Sequence, residues 1–170
     1  MPLRLRPYAL TDESAAVAIH VAMLPEDFHF LLGWEPSMSW TTFLAFLENE
    51  RKGANIAPPR VRGYQLVADV NGEIVGRVSL RFELNEYLLE RGGHIGYGVA
   101  PAHRRKGYAS EILRQALVVI RTEGVDAVLV TCDENNVASV RAIEQNGGVL
   151  ESTAPPNYGE LVSVRRYWIK

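Results

Sequence analysis

The stretch "GVAPAHRRKGYASEIL", residues 98–113, decides the reading of this chain. A short apolar run ends at Ala100-Pro101, and a regular amphipathic pattern begins just after Gly107. Arg104, Arg105 and Lys106 crowd the join. The start of a helix carries unpaired N–H groups and partial positive charge, so each cation placed there costs about 0.3–1 kcal/mol. A strand entering a helix through a glycine-containing turn is, however, a way to hold an anion, because the first N–H groups of the helix point outward. Gly107 and Ala109 keep bulk away, so a diphosphate can approach the backbone. The three cations then become charge partners of a ligand. A solvated basic turn without any ligand is the alternative that local composition leaves open. The turn matches neither the Walker pattern nor the glycine spacing of the dinucleotide fingerprint.

Working outward, Ala109, Ile112, Leu113, Ala116, Leu117 and Ile120 recur at helical period, which predicts one apolar stripe on a helix ended by Gly124. "HIGYGVA" (94–100) reads as the strand before it, with glycines suited to a bulge and to close approach of a ligand. "DAVLVTC" (126–132) reads as the buried strand after it. "ENNVASVRAIEQNGG" is a short helix with Asn135 or Asn136 as cap and Gly147-Gly148 as stop. "VLES" is a short strand, "TAPPNYGE" a loop and "LVSVRRYWI" (161–169) a final strand.

Upstream, "LRLRPY" is a first strand, followed by a helix from about 12 to 24 capped by Thr11. A second helix runs through "SWTTFLAFLENERKG", from Ser39 as cap to Gly53. Asn71-Gly72 between two alternating runs predicts a tight hairpin. In the second run Ile74, Gly76, Val78, Leu80 and Phe82 share one face, and Val75, Arg77, Ser79 and Arg81 the other. "NEYLLERGG" is a helical or irregular excursion. This order predicts an α/β (α+β) fold: a mixed, mostly antiparallel sheet of about six to seven strands with helices on both faces, as one domain over residues 1–170.

The net charge of −2 gives no overall pull toward nucleic acid. No run approaches the roughly 18 apolar residues of a membrane span, and the N-terminus reads as no signal peptide. The lone Cys132 makes no internal disulfide and no Cys-based metal cluster, and the histidines show no ligand spacing, so no metal is expected. The expectation is a cytoplasmic protein that binds neither nucleic acid nor membrane.

"VAPAHRRKGYA" resembles the acyl-CoA loop of the GNAT N-acetyltransferase superfamily, Gln/Arg-x-x-Gly-x-Gly/Ala after a Val-x-Pro at a strand end; Arg104, Gly107 and Ala109 match, with Val99 and Pro101 upstream. "NNVASVRAIEQNGG" is similar to the family's Asn-x-x-Ser helix, with Asn136, Ser139 and Gly147 in register. The wording around both motifs resembles a bacterial branch of small acetyltransferases. The resemblance implies the GNAT fold and acetyl-CoA as co-substrate. Backbone groups of Tyr97, Gly98 and Val99 would pair with the pantetheine arm. The N–H groups from Arg105 through Lys106, Gly107, Tyr108 and Ala109 to Ser110 would hold the pyrophosphate. Asn136 would bond the pantetheine region, and Ser139 would reach the cofactor. The strands at 94–100 and 126–132 would splay to admit the thioester.

The implied reaction is direct attack of an amine on the thioester with both substrates bound. It calls for a base or water chain, an oxyanion donor such as the Val99 N–H, and an acid for the thiolate. The family's usual Tyr acid, seven residues after the motif Asn, is here Ile143, and a usual Glu base, five residues before it, is Thr131. Glu83 near a strand end and His94 at the start of the cofactor strand are the substitute catalytic candidates, each set against a structural role: solvated edge carboxylate and backbone-bonded histidine. Tyr97 has a proton to donate but also reads as core. Tyr158 reads as closing over the site or as merely packed, and Cys132 as a small buried hydrophobe. The clusters Phe28, Phe30, Leu31, Leu32, Trp34 and Trp40, Phe43, Phe46, Leu47 read as core that also shapes acceptor choice. The first reading is therefore an acetyl-CoA-dependent N-acetyltransferase acting on a primary amine of a small molecule, peptide or lysine, with a homodimer as a further expectation. A CoA-binding sensor without catalysis and a nucleotide-phosphate binder are the competing readings.

Overall fold

The protein is described by a computed structural model over residues 2–170. Seven strands form one sheet: β1 (Arg4–Pro7), β2 (Gly63–Val70), β3 (Glu73–Arg81), β4 (Ile95–Val99), β5 (Val128–Asp133), β6 (Val149–Ala154) and β7 (Val164–Ile169). Their order across the sheet is β1-β2-β3-β4-β5-β7-β6. Every neighbouring pair is antiparallel except β4 and β5. The helices are α1 (Glu13–Met23), α2 (Trp40–Lys52), α3 (Tyr108–Thr122) and α4 (Val137–Gln145).

Each element follows from local chemistry. On α3 the predicted stripe is the buried face: Ile112, Leu113, Ala116, Leu117 and Ile120 all leave solvent, each large side chain contributing about 1.5–3 kcal/mol. Ser39 caps α2 by accepting the Thr42 N–H at 3.2 Å, and Gly53 ends it in the left-handed region at φ +72°. Asn71 and Gly72, at φ +56° and +86°, supply the two left-handed residues of a two-residue hairpin turn. "NEYLLERGG" contains a single wide helical turn, Leu88–Gly92.

Three expectations change. A short 3₁₀ turn, Leu10–Asp12, precedes α1, and it is Asp12 rather than Thr11 that ties down the chain entry. Its carboxylate accepts the Ala9 N–H at 2.6 Å and two bonds from Arg6 at 2.7 and 3.0 Å. The last strand begins at Val164 rather than 161. The glycines of β4 sit in an unbroken register with β3. The bulge lies instead in β3, where Ala68 pairs Gly76 and Asp69 pairs Ile74, leaving Val75 unpaired. One extra residue flips the alternation. Val75 thus joins Val78 and Leu80 under α3, while Ile74 moves to the opposite face with Tyr8, Phe30, Trp40 and Phe43.

The sheet therefore has two cores, one beneath α3 and α4 and one beneath α1 and α2. The connector between α1 and α2 supplies Phe30 and Leu31 to the second, and Phe28 and Trp34 pack against it.

Candidate active site

The single parallel pair is where the sheet opens. β4 and β5 share one register pair, Ile95 with Val130, and a bond from the His94 N–H to the Leu129 carbonyl at 2.8 Å. Beyond it the strands diverge toward their C-terminal ends. On β4, the Arg81 N–H donates to the His94 carbonyl and the Ala100 N–H to Val75, both at 2.8 Å. Alternation then gives residues 94, 96, 98 and 100 to β3 and turns the N–H and C=O of Tyr97 and the N–H of Val99 into the gap, while the Val99 carbonyl accepts from Arg104 Nε at 3.3 Å. Gly98 lies opposite Arg77 and spends its polar groups on β3, which corrects the expectation that it pairs with a ligand arm. Its missing side chain has another cause: a Cβ there would meet the Phe28 ring at 2.3 Å. Gly96 likewise accommodates the Arg81 guanidinium, 3.3 Å from where its Cβ would stand.

The turn after β4 has the backbone shape of an anion nest. Arg105 and Gly107 are both left-handed, at φ +61° and +80°, a geometry that aims successive N–H groups into one concavity. The Glu111 N–H is the first of α3 to find a helical acceptor, Gly107. Among the described residues, the N–H groups of Arg105, Lys106, Gly107, Tyr108, Ala109 and Ser110 have no acceptor. A Cβ on Gly107 would meet nothing within 4 Å, so the nest faces open space.

The nest, the gap and the N-terminus of α4 share one cavity of about 800 Å³. Tyr97, Gly98, Val99, Arg104, Arg105, Gly107, Tyr108, Ala109, Ser110, Asn136 and Ser139 all line it. Lys106 is exposed beside it and is not part of its wall. Asn136 caps α4 with Oδ1, which accepts the Ser139 N–H at 3.1 Å, leaving its Nδ2 as a donor. Ser110 is fixed from behind: Asn146 Nδ2 donates to its carbonyl and hydroxyl at 3.1 and 3.2 Å, joining α3 to α4.

The cavity also has a wall that includes Phe28, one of the aromatics read above as shaping acceptor choice. Glu26, Asp27 and Phe28, from the connector after α1, border it, and so does Arg141 of α4. Glu26 accepts two bonds from Arg104 at 3.0 and 2.6 Å. That pairing pulls the Glu26 carboxyl below its ordinary pKa and raises that of Arg104. Phe28 lies between Gly98 on one side and Arg77, whose guanidinium sits 4.5 Å from the ring centre, on the other. These partners are some 70 residues apart in sequence, and no local pattern announces them. The consecutive "EDF" is the only trace they leave.

The structure separates Glu83 and His94 from this cavity. Glu83 is exposed and lines a different hollow with Tyr87, Tyr158 and Pro58. Arg81 alone lies four register steps from Arg77, the partner of Gly98, or about 13 Å along the strand, and Glu83 lies beyond it. His94 is buried in the sheet, its Nδ1 accepting the Leu129 N–H at 2.9 Å. Burial, then the Arg81 charge, pushes its pKa down to about 4. His94 thereby closes the base of the gap as a neutral side-chain extension of the ladder. Thr131 donates its hydroxyl to the Arg91 carbonyl, and Ile143 is fully buried in the core under α3. Cys132 is buried and its thiol pKa is pushed up to about 11, chiefly by burial.

Comparison with known proteins agrees with this geometry. A family model described as "Acetyltransferase (GNAT) domain" matches residues 3–149. No curated protein sequence matches. Among solved structures, Mycobacterium smegmatis RimJ in complex with CoA-disulfide superposes with a TM-score of 0.72 at 20% identity, covering 98% of this chain and 81% of that one. Salmonella typhimurium yncA with acetyl-CoA gives 0.65 at 18% identity, covering 99% and 93%. A spermidine N-acetyltransferase SpeG chimera from Vibrio cholerae and hSSAT gives 0.64 at 22% identity, covering 99% and 96%.

The fold and the cavity thus define an acyltransferase of the GNAT type. The chain belongs to the GNAT acetyltransferase family, and its activity is N-acetyl transfer from acetyl-CoA. The acetyl-CoA site passes a test of fit on its own residues: an open gap lined by the Tyr97 edge and the Val99 N–H, with the Val99 carbonyl held by Arg104 Nε at 3.3 Å, and six unpartnered N–H groups at the turn beside it. Among the described residues, no helix is long and apolar enough to cross a membrane.

Proposed function

We propose that residues 1–170 form one N-acetyltransferase domain that acetylates a primary amine by direct attack in a ternary complex. The observation that carries this is the row of free N–H groups from Arg105 to Ser110, at one end of the cavity whose other wall is the open edge of β4. Those N–H groups hold the pyrophosphate, with the side chains of Arg105 and Arg141 adding charge. Asn136 Nδ2 and the gap-facing N–H and C=O of Tyr97 hold the pantetheine arm like an added strand. When bound, acetyl-CoA supplies an activated acyl carbon and a stable thiol leaving group. The Val99 N–H, aimed into the gap, is the donor for charge developing on the carbonyl oxygen.

The amine enters from the side of the connector after α1, where Phe28 covers the β4 face. Glu26 and Asp27 border the cavity there and draw a cationic acceptor toward it. Water carries its proton away, since neither Glu83 nor His94 reaches the gap. Small amines, peptide N-termini and lysines all fit this description. The lone buried Cys132 suits a reducing cytoplasm, and assembly as a homodimer completes the reading.

Thiol release measured against a panel of amines tests it. Release that depends on acetyl-CoA and on the amine is expected. Tight CoA binding without thiol release from any amine would instead identify a sensor.

A further inference from the structure

We propose that Tyr97 is the acid of the transfer: its phenol, set on the α4 side of the gap, protonates the departing sulfur. The inference rests on the acetyl-transfer reading above and names a residue for a step whose usual position, Ile143, is sealed in the core.

Strand alternation places the phenol. Gly96 and Gly98 face Arg81 and Phe28 on the α1–α2 side, so Ile95, Tyr97 and Val99 project to the α3–α4 side, where all three pack with the core beneath α3. From there the Tyr97 hydroxyl crosses the opening to α4 and donates to Ser139 Oγ at 3.3 Å. Both residues line the same cavity as Asn136 and the N–H nest. A bond of 3.3 Å is long for O–H···O, whose usual length is about 2.7–2.8 Å, so little is lost when the proton turns to a new acceptor in the gap. The backbone of the same residue offers its N–H and C=O to the arm that carries the sulfur, which fixes the phenol close to it.

The competing groups lie elsewhere. His103 and Tyr108 also border the cavity, but they pack on each other beyond the end of β4, and His103 Nε2 is 3.2 Å from Glu73. The Cys132 thiol is buried in the core. Burial raises the Tyr97 pKa to about 12, so the phenol is protonated at neutral pH but is a weaker acid than a free phenol, and only the charge building on the adjacent sulfur draws its proton.

The step balances. As the amine nitrogen bonds the carbonyl carbon, the carbon–sulfur bond breaks and its electron pair leaves on sulfur. Tyr97 gives its phenolic proton to that sulfur. The proton shed by the amine goes to water, and water returns one to the Tyr97 oxygen.

Two measurements on Tyr97→Phe test this, one of them independent of turnover. By calorimetry, wild type binds CoA about tenfold more tightly than desulfo-CoA, which lacks the sulfur. Tyr97→Phe brings the two affinities together by weakening CoA alone. In turnover, Tyr97→Phe loses about a hundredfold with acetyl-CoA and only a few-fold with the selenoester analogue, whose selenolate leaves without a proton. A CoA preference that survives the substitution, or equal losses with thioester and selenoester, overturns the assignment. Wild type that binds neither CoA nor desulfo-CoA overturns the acetyl-transfer reading itself. If Tyr97→Phe does not fold, fluorotyrosine at position 97 keeps the ring and changes the acidity of its phenol. It must move the thioester rate and not the selenoester rate; no movement of either refutes the proposal.

Discussion

Substituting Gly107 by glutamate puts the anion nest to its most direct test. At φ +80° any side chain carries left-handed strain of about 1–2 kcal/mol. The free protein pays that cost, offset slightly because a carboxylate at a helix start gains about 0.3–1 kcal/mol. The net loss lowers Tm by a few degrees at about 2–4 °C per kcal/mol for a chain of this size. Nothing lies within 4 Å of the new Cβ, so the fold has no clash to absorb and the side chain extends into the cavity. There its charge faces the pyrophosphate. Two like charges about 6 Å apart at an effective dielectric of about 20 repel by about 3 kcal/mol, a loss of more than about a hundredfold in affinity.

Gly107→Ala is the control: it carries the same strain without charge or length, and is expected to lose about threefold. Calorimetric titration of both variants with CoA reads these numbers, and circular dichroism confirms that they fold. CoA affinity unchanged in Gly107→Glu refutes the site. An equal loss in Gly107→Ala would shift the cause from charge to backbone geometry.

His94 sets a pH limit on stability. Its folded pKa of about 4 lies below the ordinary 6.5, so between these values the unfolded chain binds more protons and stability rises with pH. The contribution, on the order of 3 kcal/mol, is complete above pH 6.5 and is lost as pH falls toward 4; urea midpoints for wild type and His94→Gln should converge over that window. Arg91 is buried and reaches Glu160 and the carbonyls of Pro155 and Val162, all on the loop between β6 and β7. Arg91→Ala leaves those carbonyls unpaired and should cost about 3 kcal/mol, with early proteolytic cleavage within 155–163. Cleavage no faster than in wild type would show that the loop is held by other means. Gly98→Ala drives a methyl into Phe28 and should destabilise by about 1–3 kcal/mol. In Phe28→Ala that cost should largely vanish, and a double-mutant cycle with no coupling refutes the contact.

The parts of the site legible in the sequence are those built by contiguous residues. The nest needs only Arg104–Ser110, and the cap of α4 only Asn136 and Ser139, so spacing reveals both. The stripe on α3 is legible for the same reason: one face of one helix repeats at a fixed period. What the sequence hides depends on partners far along the chain. Gly98 looks like a concession to a ligand, whereas it makes room for Phe28. His94 looks like a catalytic imidazole at a strand start, whereas it bonds the Leu129 N–H on a strand beyond α3. The bulge at Val75 defeats alternation because nothing in "GEIVGRV" marks which residue is extra. Only the pairing of β2 with β3 selects it.

The cations that first drew attention to the turn after β4 turn out not to be equivalent. Arg104 is neutralised by Glu26, Lys106 stands outside the cavity wall, and Arg105 occupies the left-handed corner of the nest. What compensates the helix start is therefore split between an internal carboxylate and the ligand. The internal carboxylate comes from the segment that also places Phe28 over Gly98, so three consecutive residues, 26–28, touch the basic turn at one end and β4 at the other. The basic turn and the Phe28-covered face of β4 are joined by one short segment, and the Glu26 carboxylate gives the sequence a physical reason to keep a cation where a helix alone would reject it.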